Sequence, residues 1–137
     1  MEKKNIDWSS IGFAYMPTDY RYVSNFKDGK WDEGTLSTDP NIVLNECAGV
    51  LQYSQSVFEG LKAYTTEDGH IVTFRPDLNA ERIAASAARR EMPVFPKERF
   101  IDAVEQVVKA NAAWVPPYGS GATLYLRPYM FGSNAVI

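Results

Sequence analysis

In LYLRP (Leu124–Pro128) an arginine stands two residues after a tyrosine, inside an apolar run of strand character. Alternation puts Tyr125 and Arg127 on one face, and Leu124 and Leu126 on the other. A guanidinium fixed on a sheet face beside an aromatic ring is an anion receptor. It can grip a carboxylate through two parallel hydrogen bonds. The competing reading is a surface arginine packed over a tyrosine. A second segment, YSQSVFEGLKAY (Tyr53–Tyr64), sets Tyr53 and Phe58 around small polar residues and ahead of Glu59-Gly60. Gly60 permits a tight backbone path, so the rings either wall a pocket for an apolar side chain or are core aromatics. A third, FRPDLNAERI (Phe74–Ile83), carries Arg82 on a helix, as a phosphate ligand or as a solvated, salt-bridged side chain. No glycine-rich phosphate loop accompanies it.

Lys62 follows Glu59-Gly60-Leu61, a tempting place for a Schiff-base lysine. Such an amine must be desolvated or held near another cation to be free at neutral pH. A hairpin strand supplies neither, so Lys62 reads as structural, as do Cys47 and His70. No nucleophile, base and orienting acid form a constellation, and no catalytic residue is assigned.

These residues need elements to hold them. Two short strands are expected in AYMPTDYRYVSNFKDGKWD, joined by a turn near Lys27–Lys30 where Asp28-Gly29 favours positive φ. Asn41–Glu46 (NIVLNE) is apolar enough for a further strand. Lys62–Tyr64 and Ile71–Phe74 flank TTEDGH, where Asp68-Gly69 signals a second hairpin. Pro76 ends that strand, and Asp77 or Asn79 can cap a helix. Leu78, Ile83, Ala87 and Met92 recur along it at roughly helical spacing until PVFP breaks it. A second helix is expected from Lys97 to Trp114, with Ile101, Val104, Val108 and Ala112 in one stripe and Asp102, Glu105 and Lys109 outside it. PPYGSG is a loop, and Ala122–Phe131 a strand that Pro128 bends or places at an edge. The order implies α+β: a mostly antiparallel sheet with two main helices packed on one face.

Composition narrows the function classes. The 137 residues suit one domain with a real core, and 45% hydrophobic with 23% charged content is ordinary for a globular chain. A net charge of −3, with basic residues dispersed, gives no footprint for nucleic acid. One cysteine and one histidine cannot make an intrachain disulfide or a Cys/His zinc site, so no metal is expected. No apolar run has the length of a signal peptide or a membrane span, which makes a cytoplasmic protein the expectation.

Taken together and in order, YSQSVFEGLKAY, FRPDLNAER and LYLRPYMFGS make the chain resemble branched-chain amino acid aminotransferases of the pyridoxal-phosphate fold-type IV class. The resemblance runs from about Phe13 to Ile137. It implies that Arg82 binds the phosphate of pyridoxal 5′-phosphate, and that Phe13, Phe58 and Tyr125 wall a pocket for a leucine, isoleucine or valine side chain. It further implies that Arg127 receives the distal carboxylate of glutamate, so one site serves branched-chain amino acids, glutamate and their 2-oxo acids. Tyr53 and Ile137 match positions that reach into a neighbouring subunit's pocket, which implies a homodimer. The cofactor-bearing lysine and most phosphate ligands belong, in that family, to a second, C-terminal domain. Residues 1–137 are thus expected to be the N-terminal small domain, with little affinity for the cofactor and no activity alone. A D-amino acid aminotransferase or an aminodeoxychorismate lyase is the alternative enzyme reading, which the full YSQSVFEGLKAY and LYLRP segments disfavour. A non-catalytic, self-associating domain is the third.

Overall fold

Asp28 and Gly29 both adopt positive φ, 54° and 81°, and close a tight hairpin between two short strands. A computed structural model describes residues 2–12 and 14–135. Its first strands are β1 (Arg21–Val23), β2 (Phe26–Lys27), β3 (Lys30–Trp31) and β4 (Thr35–Ser37). β2 pairs with β3, and β1 with β4 around them, all antiparallel. The turn chemistry of Asp-Gly fixes this hairpin, as its sequence implies.

The expected strand at Asn41–Glu46 does not form. Residues 41–46 make no ladder, and Val43 is 97% exposed. Asn45 instead folds its side chain back to accept from the Cys47 amide at 2.8 Å, which favours a turn over extension. An apolar run becomes a strand only where a partner edge exists, and residues 41–46 pair with none among the described residues. After it comes a short helix that the sequence reading lacked, α1 (Gly49–Tyr53), ended by Ser54 in the left-handed region.

Next come β5 (Ser56–Phe58), β6 (Leu61–Thr65) and β7 (Ile71–Thr73), then the helices α2 (Pro76–Arg89) and α3 (Lys97–Ala110). β6 and β7 form the second expected hairpin. α3 passes into a single 3-10 turn at Ala112–Trp114, so the helical stretch ends near the expected residue. Leu61 and Ala63 of β6 are buried, whereas Lys62 and Tyr64 are exposed. The buried face packs against Ala80, Ile83 and Ala87 of α2, with Phe100, Val104 and Val108 of α3 completing the core. Both long helices therefore cover one side, and among the described residues every strand pairing is antiparallel, though divided among four small sheets.

The start of α2 differs from expectation. Neither Asp77 nor Asn79 caps it: Arg75 is the N-cap, at φ 46°, with Pro76 at the first helical position. Pro76 has no amide and its φ suits a helix, so the first turn has one orphan donor fewer to satisfy. Asp77 is inside the first turn, where its carboxylate takes two bonds from Arg75, at 2.9 and 2.7 Å. That fork holds Asp77 down at about 2, first through the hydrogen bonds and then through the charge. A folded-state value below the ordinary one means that the stabilisation is full above about pH 4 and is lost as pH falls towards 2. The carboxyl carbon of Asp77 should therefore titrate near pH 2 by NMR. A midpoint close to 4 would show that Arg75 does not hold it.

The last expected strand is two: β8 (Leu124–Leu126) and β9 (Tyr129–Phe131). β8 pairs with β6 and β9 with β5. Pro128 has no amide for a ladder, so the chain changes sheets there instead of bending within one.

Candidate functional site

Two chain breaks meet at one seam. Glu59-Gly60 carries the chain from β5 to β6, and Arg127-Pro128 carries it from β8 to β9, in the opposite direction. The Glu59 amide donates to the Pro128 carbonyl at 2.9 Å and closes the gap. Because β8 and β9 keep period 2 up to the break, Leu124, Leu126 and Met130 turn towards the core. Tyr125, Arg127 and Tyr129 turn outwards.

Three predicted residues come together on that outward face. The Arg127 guanidinium lies 4.5 Å from the centre of the Phe58 ring and 5.3 Å from that of Tyr125. One of its nitrogens donates to the Tyr125 hydroxyl at 3.1 Å. Both ring distances are within the range of cation–π attraction. Among the described residues no carboxylate lies within ion-pairing distance of it. A fork fixed in direction, without an internal partner, is suited to an incoming carboxylate. Phe58 and Tyr125 are more than half exposed, so the core reading for Phe58 does not hold. Gly60 makes room for this arrangement, since a Cβ there would overlap the Tyr125 hydroxyl. Arg127, Tyr125 and Tyr129 are among the residues lining an open groove of about 1430 Å³, as are Tyr22, Phe26 and Trp31.

Arg82 joins the site from the helix side. Its Nε and Nη2 both donate to Glu59 Oε1, at 3.0 and 2.8 Å, and this carboxylate raises the arginine's pKa further. The side chain is 60% exposed, and three of the five guanidinium N–H groups are left by those two bonds. Arg82 is thus salt-bridged, as one of its two readings had it, and its remaining donors are not taken up by that ion pair. Glu59 and Asn79 are the site residues that sequence reasoning passed over. Asn79 is buried and donates to Glu59 Oε1 at 2.9 Å and to the Gly60 carbonyl at 3.2 Å. Its spacing of three from Arg82 was the available signal.

Other candidates fall elsewhere. Tyr53 ends α1, which is bonded to Gly132 and Asn134 past the far end of β9, and it is 68% exposed. Phe13 and Ile137 lie outside the described residues. Lys62 pairs across the strands with Tyr125 on the outward face, exposed and so not desolvated. Burial lowers the pKa of Lys3, but its ammonium donates to Thr65 Oγ1 and the Ala112 carbonyl, at the end of β6 away from Arg127.

A protein from Haemophilus influenzae named branched-chain-amino-acid aminotransferase is 54% identical to this chain over 129 residues, 94% of the chain. This sequence is homologous to the branched-chain amino acid aminotransferases. The chain spans only 38% of the length of that relative. No protein-family model matches. Among solved structures, the branched-chain aminotransferase of Thermoproteus uzoniensis, with norvaline, aligns with a TM-score of 0.60 and 26% identity. It covers 85% of this chain, which in turn covers 35% of it. A second solved branched-chain amino acid aminotransferase, from T.th. and complexed with N-(5'-phosphopyridoxyl)-L-glutamate, aligns with a TM-score of 0.59 and 27% identity. That alignment takes in 72% of this chain and 31% of the other. The small α+β domain expected from the sequence is thus the observed one.

Proposed function

We propose that this chain is the N-terminal substrate-recognition domain of a branched-chain amino acid aminotransferase that uses pyridoxal 5′-phosphate. The carrying observation is the Arg127 fork, directed by Phe58 and Tyr125 and lacking a carboxylate partner among the described residues. An apolar side chain lies against the rings, and the distal carboxylate of glutamate or of its 2-oxo acid takes the fork. One face then serves both partners of the exchange, which a wholly apolar pocket could not do.

Arg82 fits as one handle on the cofactor, since it is accessible and keeps free donors. When bound, the pyridine ring supplies the electron sink for moving the amino group. This chain's own residues bind, orient and exclude. None of its described lysines combines desolvation with a place beside the fork, which supports the reading that the 137 residues alone are inactive. Tyr53, exposed and apart from Arg127, fits a role in a second subunit's pocket, and Ile137 and Phe13 are assigned to substrate contact by resemblance alone. A homodimer in the cytoplasm completes the reading.

The test is a chimera in which this chain replaces the matching segment of the Haemophilus influenzae relative. It should transaminate leucine, isoleucine and valine with 2-oxoglutarate, while the 137-residue chain with added cofactor should not. A folded, cofactor-binding chimera that acts only on D-amino acids would overturn the assignment, and turnover by the chain alone would overturn the division of labour.

A further inference from the structure

Arg82 does not stand free on its helix. Its guanidinium is directed by one carboxylate oxygen, Glu59 Oε1, which receives both of its bonds. That same oxygen accepts from Asn79, and Asn79 is 5% exposed, whereas the Glu59 side chain is 13% exposed. Arginine carries many rotamers, and an exposed one loses considerable entropy when a ligand fixes it. Here a half-hidden acid, itself braced by a buried amide, has already selected the rotamer. Asn79 also holds the Gly60 carbonyl, and Gly60 lies beneath the Tyr125 hydroxyl that receives the Arg127 bond. A chain of contacts therefore runs from Arg82 through Glu59, Asn79 and Gly60 to Tyr125 and Arg127.

We propose that Glu59, braced by Asn79, is a positioning residue that presets Arg82 for a phosphate and ties it to the Arg127 fork. This rests on the reading of Arg82 as the phosphate handle. Electrostatics alone would oppose it, because a carboxylate beside an anion site repels the anion. The sign of the effect on phosphate binding thus separates positioning from mere charge competition.

Two measurements decide it. In the ¹⁵N-labelled 137-residue chain, solvent exchange of the Arg82 Nε–H, assigned by its absence in Arg82→Lys, should accelerate about fivefold in Glu59→Ala, the factor of one exposed pair. Glu59→Gln keeps an oxygen for Asn79 and so protects the fold, and it should give a smaller acceleration. In the Haemophilus influenzae chimera, stripped of cofactor, the dissociation constant for pyridoxal 5′-phosphate should rise about fivefold in Glu59→Ala and less in Glu59→Gln. Unchanged exchange, or tighter cofactor binding in either variant, overturns the proposal. If Arg82→Ala leaves the cofactor's dissociation constant unchanged, the phosphate reading itself falls, whatever Glu59 does.

Discussion

Arg127→Met in the Haemophilus influenzae chimera should lower kcat/KM for glutamate by about 10²–10³-fold, or about 3–4 kcal/mol, the range for truncating one partner of a hydrogen-bonded charge pair. Leucine should lose less than about tenfold, since an apolar side chain brings no charge for the fork to meet. The contrast follows from geometry. Arg127 is directed by two rings and one hydroxyl, none of which neutralises it, so the whole charge remains for the substrate. Arg127→Lys keeps the charge, but an ammonium cannot hold a carboxylate in parallel bonds or lie flat on Phe58. It should recover only a small part of the glutamate activity. The measurement is the pair of half-reactions, each followed separately with its own amino acid. Equal losses for glutamate and leucine would mean that Arg127 supports the fold of the seam and does not read the acidic partner.

That expectation was half legible before any fold was seen. LYLRP states the alternation that sets Tyr125 and Arg127 outwards, because period 2 is a property of the strand itself. Asp28-Gly29 and Asp68-Gly69 likewise specify their hairpins locally. Of the expected stripe, Val104, Val108 and Ala112 are buried, whereas Ile101 is only partly so and Phe100 is buried in its stead. What stayed hidden depends on partners distant in the chain. Phe58 reaches Arg127 only because β5 finds β9 across a separation of some seventy residues, with Phe58 opposite Tyr129. The apolar Ile42-Val43-Leu44 found no such edge and formed no strand. Asn79 could be scored as a cap from its neighbours alone; its use as a clamp on Glu59 and Gly60 needed the seam. Family resemblance supplied the roles expected of Phe58, Tyr125, Arg127 and Arg82, while the acid that pairs with Arg82 is visible only in the fold.

Asn111→Ala should destabilise the 137-residue chain by about 3 kcal/mol, a large share of the roughly 5–15 kcal/mol that holds a domain of this size. Asn111 is 4% exposed and follows the last turn of α3. Its carbonyl oxygen accepts from the Asp19 and Tyr20 amides, each at 2.9 Å, and its nitrogen donates to the Tyr20 carbonyl at 2.9 Å and the Val107 carbonyl at 2.8 Å. Two acceptor positions and two donor hydrogens are thus all used. Alanine leaves backbone groups of Asp19 and Tyr20 without partners, and each lost bond costs about 1 kcal/mol or more where water cannot replace it. The damage should be directional, because these bonds fasten the segment entering β1 to the end of α3. Urea midpoints would give the global loss, and hydrogen exchange at the Asp19 and Tyr20 amides the local one. Asn111→Asp sharpens the test: it keeps both acceptor contacts but turns oxygen towards the Tyr20 and Val107 carbonyls. Its carboxyl should be driven to hold a proton, so this variant should gain stability relative to the parent as pH falls through its raised folded-state pKa. A midpoint shift no larger than that of a surface substitution, with Asp19 and Tyr20 still protected, would mean that the N-terminal strands are held by their apolar contacts and not by this amide.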